Sequence, residues 1–222
     1  MNTRLLALAQ TFVASTLIVA ASSCGVHAPI QPPTDAASVN NTAPGQQGYV
    51  RIRGAITAVA ADAITVRTHT GQELRVNINP KTAVNTITRA GITDIKPGSF
   101  IGTAATSLPD GSLRALEVHI YPEMAVAGDG HVPWDLRPGS SMTSGMVADV
   151  AGNRDRTLTV KYKDGQKKVV VPDDAPIVHI EKGDQRLLKP DVPVFITSTK
   201  GADGTLWGRS ISAGKDGVAP PM

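Results

Sequence analysis

One cysteine in 222 residues leaves nothing to pair, so a disulfide framework is excluded. Aromatic residues make up 4 % of the chain, too few to interleave along a groove for stacking nucleic-acid bases. Charged residues are 18 %, below the roughly 25 % of an average domain, and the net charge is only +3. Beyond the first 21 residues no apolar run approaches the roughly 18 residues that a membrane span requires. No segment past residue 48 carries a convincing 3.6-residue apolar stripe, which excludes a helix bundle or coiled coil. Signatures of common enzymes are missing too: there is no Gly-x-Ser-x-Gly elbow, no phosphate loop and no His-Glu-x-x-His. Glycine and proline, by contrast, are plentiful, at 21 and 16 residues.

The first segment reads as an address. Arg4 gives a positive start, Leu5 to Ala21 is largely apolar, and small residues lead to Ala21-Ser-Ser-Cys24-Gly25. That is the order of a bacterial secretory signal, with the only thiol where a lipoprotein signal needs it. We expect residues 1–23 to be removed, Cys24 to carry lipid, and residues 24–48, rich in Pro, Ala, Asn, Gln and Thr, to form a tether. Gly25 in place of Asp argues against retention in the inner membrane. The expected location is therefore the outer membrane, lipid-anchored, facing the periplasm or the cell surface.

Beyond the tether the chain repeats itself at a spacing of 91 to 94 residues. Gly54-Ala-Ile-Thr-Ala-Val59 matches Gly145-Met-Val-Ala-Asp-Val150, and Ile64-Thr-Val-Arg67 matches Leu158-Thr-Val-Lys161. Gly71-Gln72 matches Gly165-Gln166, Ile95-Lys-Pro-Gly98 matches Leu188-Lys-Pro-Asp191, and Asp110-Gly-Ser-Leu113 matches Asp203-Gly-Thr-Leu206. Within each copy the apolar period is two, as in Val50, Ile52 and Ile56 against Arg51, Arg53 and Thr57, so the copies are built of strands. Asp164-Gly165 predicts a hairpin whose two central residues have positive φ. Only short helical turns are expected, near Ile92–Lys96 and Gln185–Lys189. The last strand of each copy slips phase, which predicts a β-bulge at one place in both. The expected fold is all-β: two tandem small OB-like antiparallel β-barrels, residues 49–122 and 143–217, joined by an irregular Pro/Gly-rich linker, residues 123–142.

These motifs, with the middle segment Gly128-Asp-Gly-His131-Val-Pro-Trp134-Asp135 and Pro138-Gly139, resemble a family of exported bacterial β-domains of unknown function that includes two-copy members. The resemblance spans roughly residues 50–217. It implies an OB-like fold and an envelope location, and it brings no catalytic residues.

Candidate chemistry is sparse. Glu117, His119 and Tyr121 alternate with Val118 and Ile120 on the last strand of copy one, and the linker adds Asp129, His131 and Asp135. Carboxylate with imidazole suits zinc or another transition metal, so Glu117, His119 and His131 form a metal candidate, against the plainer reading of a solvated strand face. Trp134, between Pro133 and Asp135, is either a plug between the two barrels or a stacking platform for a sugar or peptide. Trp207 reads as a core or interface residue. In copy two, Arg154, Arg156, Lys161, Lys163, Lys167 and Lys168 outweigh Asp155 and Asp164. This is a solvated face or a contact for an envelope polyanion such as lipopolysaccharide core. Trp134, Asp135, Lys161 and Lys163 are thus the candidate ligand-binding residues. No cofactor and no catalytic residue is expected. The expected partners are a membrane through the lipid anchor, another envelope protein or a polyanionic glycan, and not nucleic acid. The expectation is a non-enzymatic binding or structural module of the envelope, with a periplasmic metal-binding protein or a glycan binder as the alternative.

Overall fold

The computed structural model describes residues 48–122, 128–151 and 156–221. The expected leader 1–23, Cys24 and the tether up to residue 47 lie outside the described residues, as do Arg154 and Asp155.

The described chain is all-β. Copy one supplies β1 (Tyr49–Val59), β2 (Ala63–Thr68), β3 (Glu73–Asn77), β4 (Ala83–Ala90), β5 (Phe100–Ser107), β6 (Leu113–Ala115) and β7 (Val118–Tyr121). A short strand, β8 (Gly130–Pro133), follows in the segment expected to be irregular. Copy two supplies β9 (Ser140–Ala151), β10 (Thr157–Tyr162), β11 (Gly165–Val170), β12 (Ile177–Lys182), β13 (Pro193–Lys200) and β14 (Leu206–Gly214). The two expected helical turns are single 3₁₀ turns, Ile92–Asp94 and Gln185–Leu187.

Strand pairing does not follow the copies. β1, β2 and β3 of copy one close into a ring with β14 and β13 of copy two, through the pairs β1–β2, β2–β3, β3–β14, β14–β13 and β13–β1. β9, β10 and β11 of copy two close a second ring with β6 and β5 of copy one. Each copy therefore exchanges its last strands with the other, and the division at 49–122 and 143–217 does not describe the pairing. β4 and β12 form the seam. They pair antiparallel with each other, while β14 runs parallel to β4 and β7 parallel to β12.

The exchange follows from how little one copy can bury alone, since a unit of about 75 residues is marginal by itself. Each ring fills with the inward half of its alternating strands. Val50, Ile52, Ile56, Ile64, Val66 and Val76 of copy one meet Val194, Ile196 and Ile211 of copy two in the first core. Val147, Leu158, Val160 and Val169 of copy two meet Ile101, Leu113, Val118 and Ile120 of copy one in the second. The matched Lys-Pro turns are crossed in the same way. Gly98 N–H donates to the Val147 carbonyl and Asp191 N–H to the Ile56 carbonyl, each at 2.8 Å.

Local signals hold with two adjustments. The phase slip of the last strand is a register shift in β13–β14 at Thr197/Ser198, and a break between β6 and β7 in copy one. In the β10–β11 hairpin Gly165 closes the ladder opposite Tyr162, so Lys163 and Asp164 make the turn. Of the two residues expected to have positive φ, Gly165 has it, at 159°, and Asp164 does not.

Candidate functional site

The outer faces of the two rings join across the seam, and the register shows which side chains share that face. Arg53, Phe195, Ser212 and Asn85 stand in one row through β1, β13, β14 and β4. Ser144, Gly102, His119 and Val178 stand in the counterpart row through β9, β5, β7 and β12. Ile87 and Ile180 lie between the rows and, with Val178 and Phe195, form a third small core against which Tyr121 and Trp134 pack.

The segment after β8 reaches over this face. Ser140 fastens it: its hydroxyl donates to the carbonyls of Arg137, at 2.7 Å, and Trp134, at 3.1 Å. The loop so formed lays Trp134 and Asp135 onto β1. The Asp135 carboxylate, whose side chain is 3 % exposed, lies 2.9 Å from Arg53 Nη2 and 3.4 Å from Arg51 Nη1. The Arg51 guanidinium covers the Trp134 ring at 4.2 Å, and that of Arg53 covers Phe195 at 5.1 Å. Burial pulls Arg51 below its ordinary value, and the Asp135 charge opposes the pull. Asp135 is thus a clasp and Trp134 is docked by it.

Between loop and sheet lies a cavity of about 400 Å³. Trp134, Phe195, Tyr121 and Ile180 give it apolar and aromatic wall, while Asn85, Ser144, Thr197, Ser210 and Ser212 give it hydroxyls and an amide. Among the described residues, Asp129 is the one charged residue in the wall. The Asn85 amide donates to the Ser210 hydroxyl at 3.3 Å. Trp134 Nε1 is buried without a hydrogen-bond partner.

Glu117 and His119 share a face, as expected, but it is not solvated: they are 1 % and 0 % exposed. Glu117 Oε1 lies 3.3 Å from His119 Nε2, and the Tyr121 ring meets His119 edge-on. His131 does not join them. It is in register with Thr143, which is in register with Thr103, whereas His119 is in register with Gly102 on the opposite face. His131 instead bonds Thr143 Oγ1 at 2.8 Å and stacks on Tyr162. Among the described residues no three His, Cys, Asp or Glu side chains gather into a metal-holding group.

Lys161 and Lys163 stand exposed at the β10–β11 hairpin, outside the cavity wall. Trp207 is a correction. It is 43 % exposed, because the register shift in β14 places it opposite Thr199 on the outer side of the first ring. Arg51, Arg53, Phe195, Ser210 and Ser212 were not singled out by sequence. Ser210 and Ser212 alternate with Ile211 and Ala213, a period-two signal that marks a face but not what covers it.

Comparison with known proteins gives no match to a family model, to a curated protein or to a solved structure.

Proposed function

We propose that the protein is an exported, lipid-anchored envelope module that binds a ligand without transforming it. In this reading the cavity over the seam accepts one unit of a neutral or weakly polar glycan. The observation that carries it is the composition of the cavity wall: among the described residues, three aromatic residues stand beside small hydroxyls and an amide, with no lysine or arginine among them. Aromatic faces take the apolar side of a sugar ring, and hydroxyl and amide groups take its hydroxyls. A polyanion would need cations in the wall, so the lysines of the β10–β11 hairpin belong to a separate, salt-sensitive contact if they bind anything.

We read each five-strand ring as an OB-like barrel, supported by its Greek-key order with one parallel pair, β3–β14 or β6–β11. The envelope location rests on Arg4, the apolar run and Cys24. The mass of the mature N-terminus tests it: acyl chains on Cys24 are expected, and an unacylated terminus ends that part of the reading. For binding, the purified protein is titrated with a panel of envelope mono- and oligosaccharides while amide shifts are followed. Shifts should concentrate at Asn85, Ser210, Ser212 and Trp134, and Trp134→Ala should abolish them where Trp207→Ala does not. Saccharides that move none of these residues remove the glycan reading.

A further inference from the structure

Glu117 and His119 leave four polar atoms, Oε1, Oε2, Nδ1 and Nε2, buried with no hydrogen-bond partner. A buried carboxylate with no donor is costly and calls for a counter-charge. His119 stands 3.3 Å away but does not meet the geometry of a hydrogen bond, so its nitrogen lone pair is not directed at the carboxylate oxygen.

The fold does not demand these residues. A two-fold relation that exchanges the copies carries the pair Gly102–His119 onto Phe195–Ser212, and the pair His119–Val178 onto Ser212–Asn85. The same relation places Glu117 on Ser210. In one half of the seam, then, two serines occupy the positions that a buried acid and imidazole occupy in the other. Gly102, in place of the phenyl ring of Phe195, leaves room that Tyr121 and Ser144 fill: a Cβ added there would meet the Tyr121 ring at 3.1 Å and Ser144 Oγ at 3.4 Å.

We propose that Glu117 and His119 chelate a divalent transition-metal ion of the zinc class behind the wall of the cavity, where the wall residue Tyr121 packs edge-on against His119. Two ligands at about 2.0–2.1 Å from a metal and separated by a tetrahedral angle stand about 3.3–3.4 Å apart, which is the spacing found. A carboxylate and an imidazole two residues apart on one strand face supply it without backbone movement. The cation removes the uncompensated charge of Glu117. Positions not taken by these side chains fall to water or to a group reaching in from the cavity past Tyr121. This site is independent of the glycan reading.

The test uses the mature protein without a histidine tag, dialysed against zinc and against cobalt(II). Elemental analysis should give about one metal per chain, and the cobalt form should show visible bands of a low-symmetry N/O site. The double variant Glu117→Ser/His119→Ser copies the other half of the seam, so it should fold. It should lose metal affinity by at least about tenfold, while His131→Ala, whose ring faces the other side, should bind as wild type. Below about a tenth of a metal per chain in the wild type, or equal binding by the double-serine variant, the proposal is overturned. Should that variant not fold, Glu117→Gln, which keeps the shape and removes the charge, decides the matter by the same readouts.

Discussion

Ile87 and Ile180 stand opposite each other in the β4–β12 ladder, 93 positions apart in the chain, and both are buried. Each is the other's counterpart in the repeat. The pairs on either side repeat the relation with the copies exchanged: Asn85 faces Lys182 and Arg89 faces Val178. A two-fold axis of the fold therefore passes through this isoleucine pair, and the two rings are its images.

Exchange of strands makes the copies interdependent. A fragment ending near residue 122 holds β1 to β3 without the two strands that close their ring, and exposes the apolar residues those strands cover. We expect residues 48–138 and 139–221, produced separately, each to give a poorly dispersed amide spectrum, and their mixture to recover the native one. A dispersed native-like spectrum from either fragment alone would contradict the exchange. The intact chain should unfold in a single transition, read by urea denaturation with two probes.

Gly54 and Gly145 are matched in sequence and do the same job in the two rings. A Cβ on Gly54 would run into the Arg67 carbonyl, and one on Gly145 into the Lys161 carbonyl, itself the matched position of the neighbouring strand. Backbone cannot yield as a side-chain tip can. Gly54→Ala and Gly145→Ala should each cost about 2–3 kcal/mol in urea unfolding, at the upper end of overpacking. A cost below about 0.5 kcal/mol for either would show that the strands separate freely there.

Much of this was legible in the chain. Period-two patterning gave the strands, the matched Gly-x-Ile and Lys-Pro signals gave the repeat, and Cα-level turns at Asp110–Gly111 and Asp203–Gly204 fall where expected, with φ of 82° and 85° at the two glycines. The partner of each strand was not legible. Ile211 must be covered, and its alternation says so, but covering by β3 of the other copy satisfies the pattern as well as covering by its own copy would. The same limit hid the site. Arg51 and Arg53 alternate with core residues and read as solvent-facing, until the Asp135 loop, 82 positions on from Arg53, closes over them. Glu117 and His119 were placed on one face correctly, but only the seam makes that face an interior.

Asp191 tests the repeat at one dihedral. Its φ is 66°, and the matched residue in copy one is Gly98 with φ 88°. The left-handed region costs an ordinary L-residue about 1–2 kcal/mol, less for Asp, and glycine adopts it freely but loses more entropy on folding. Asp191→Gly should therefore stabilise by about 0.5 kcal/mol, and Gly98→Asp should destabilise by a similar amount, about 0.5–1 kcal/mol. Melting of the two variants in parallel checks the sign, and a loss of stability in Asp191→Gly would show that the aspartate contributes more than its backbone costs.

Asp135 carries two guanidiniums on one nearly inaccessible carboxylate. Asp135→Asn keeps the shape and removes the carboxylate charge that both guanidiniums meet, so it should destabilise the fold, by at most about 3–5 kcal/mol, the cost of breaking a fully buried pair. Because Asp135 docks Trp134, the indole should also become wetter. In a Trp207→Phe background, where Trp134 is the remaining tryptophan, its emission should move to longer wavelength. An unshifted emission with unchanged urea midpoint would mean that the Asp135 charge does not hold the loop.

His131 supplies a pH dependence whose sign is fixed by its surroundings. Burial and then the nearby Lys167 charge both disfavour the imidazolium, so its titration lies below the ordinary 6.5. In the window just below that value the unfolded chain binds a proton that the folded chain refuses. Stability from this group is complete above the unfolded value and is lost as pH falls through the folded one. A ring titration followed by NMR should have its midpoint below 6.5, and Lys167→Gln should raise it. The difference in unfolding free energy between wild type and His131→Gln should shrink as the pH is lowered from 7 towards 5, with other titrating groups cancelling in the difference. A midpoint at or above the ordinary value would mean that the Thr143 bond and the Tyr162 stack hold the charged ring, and the dependence would then run the other way.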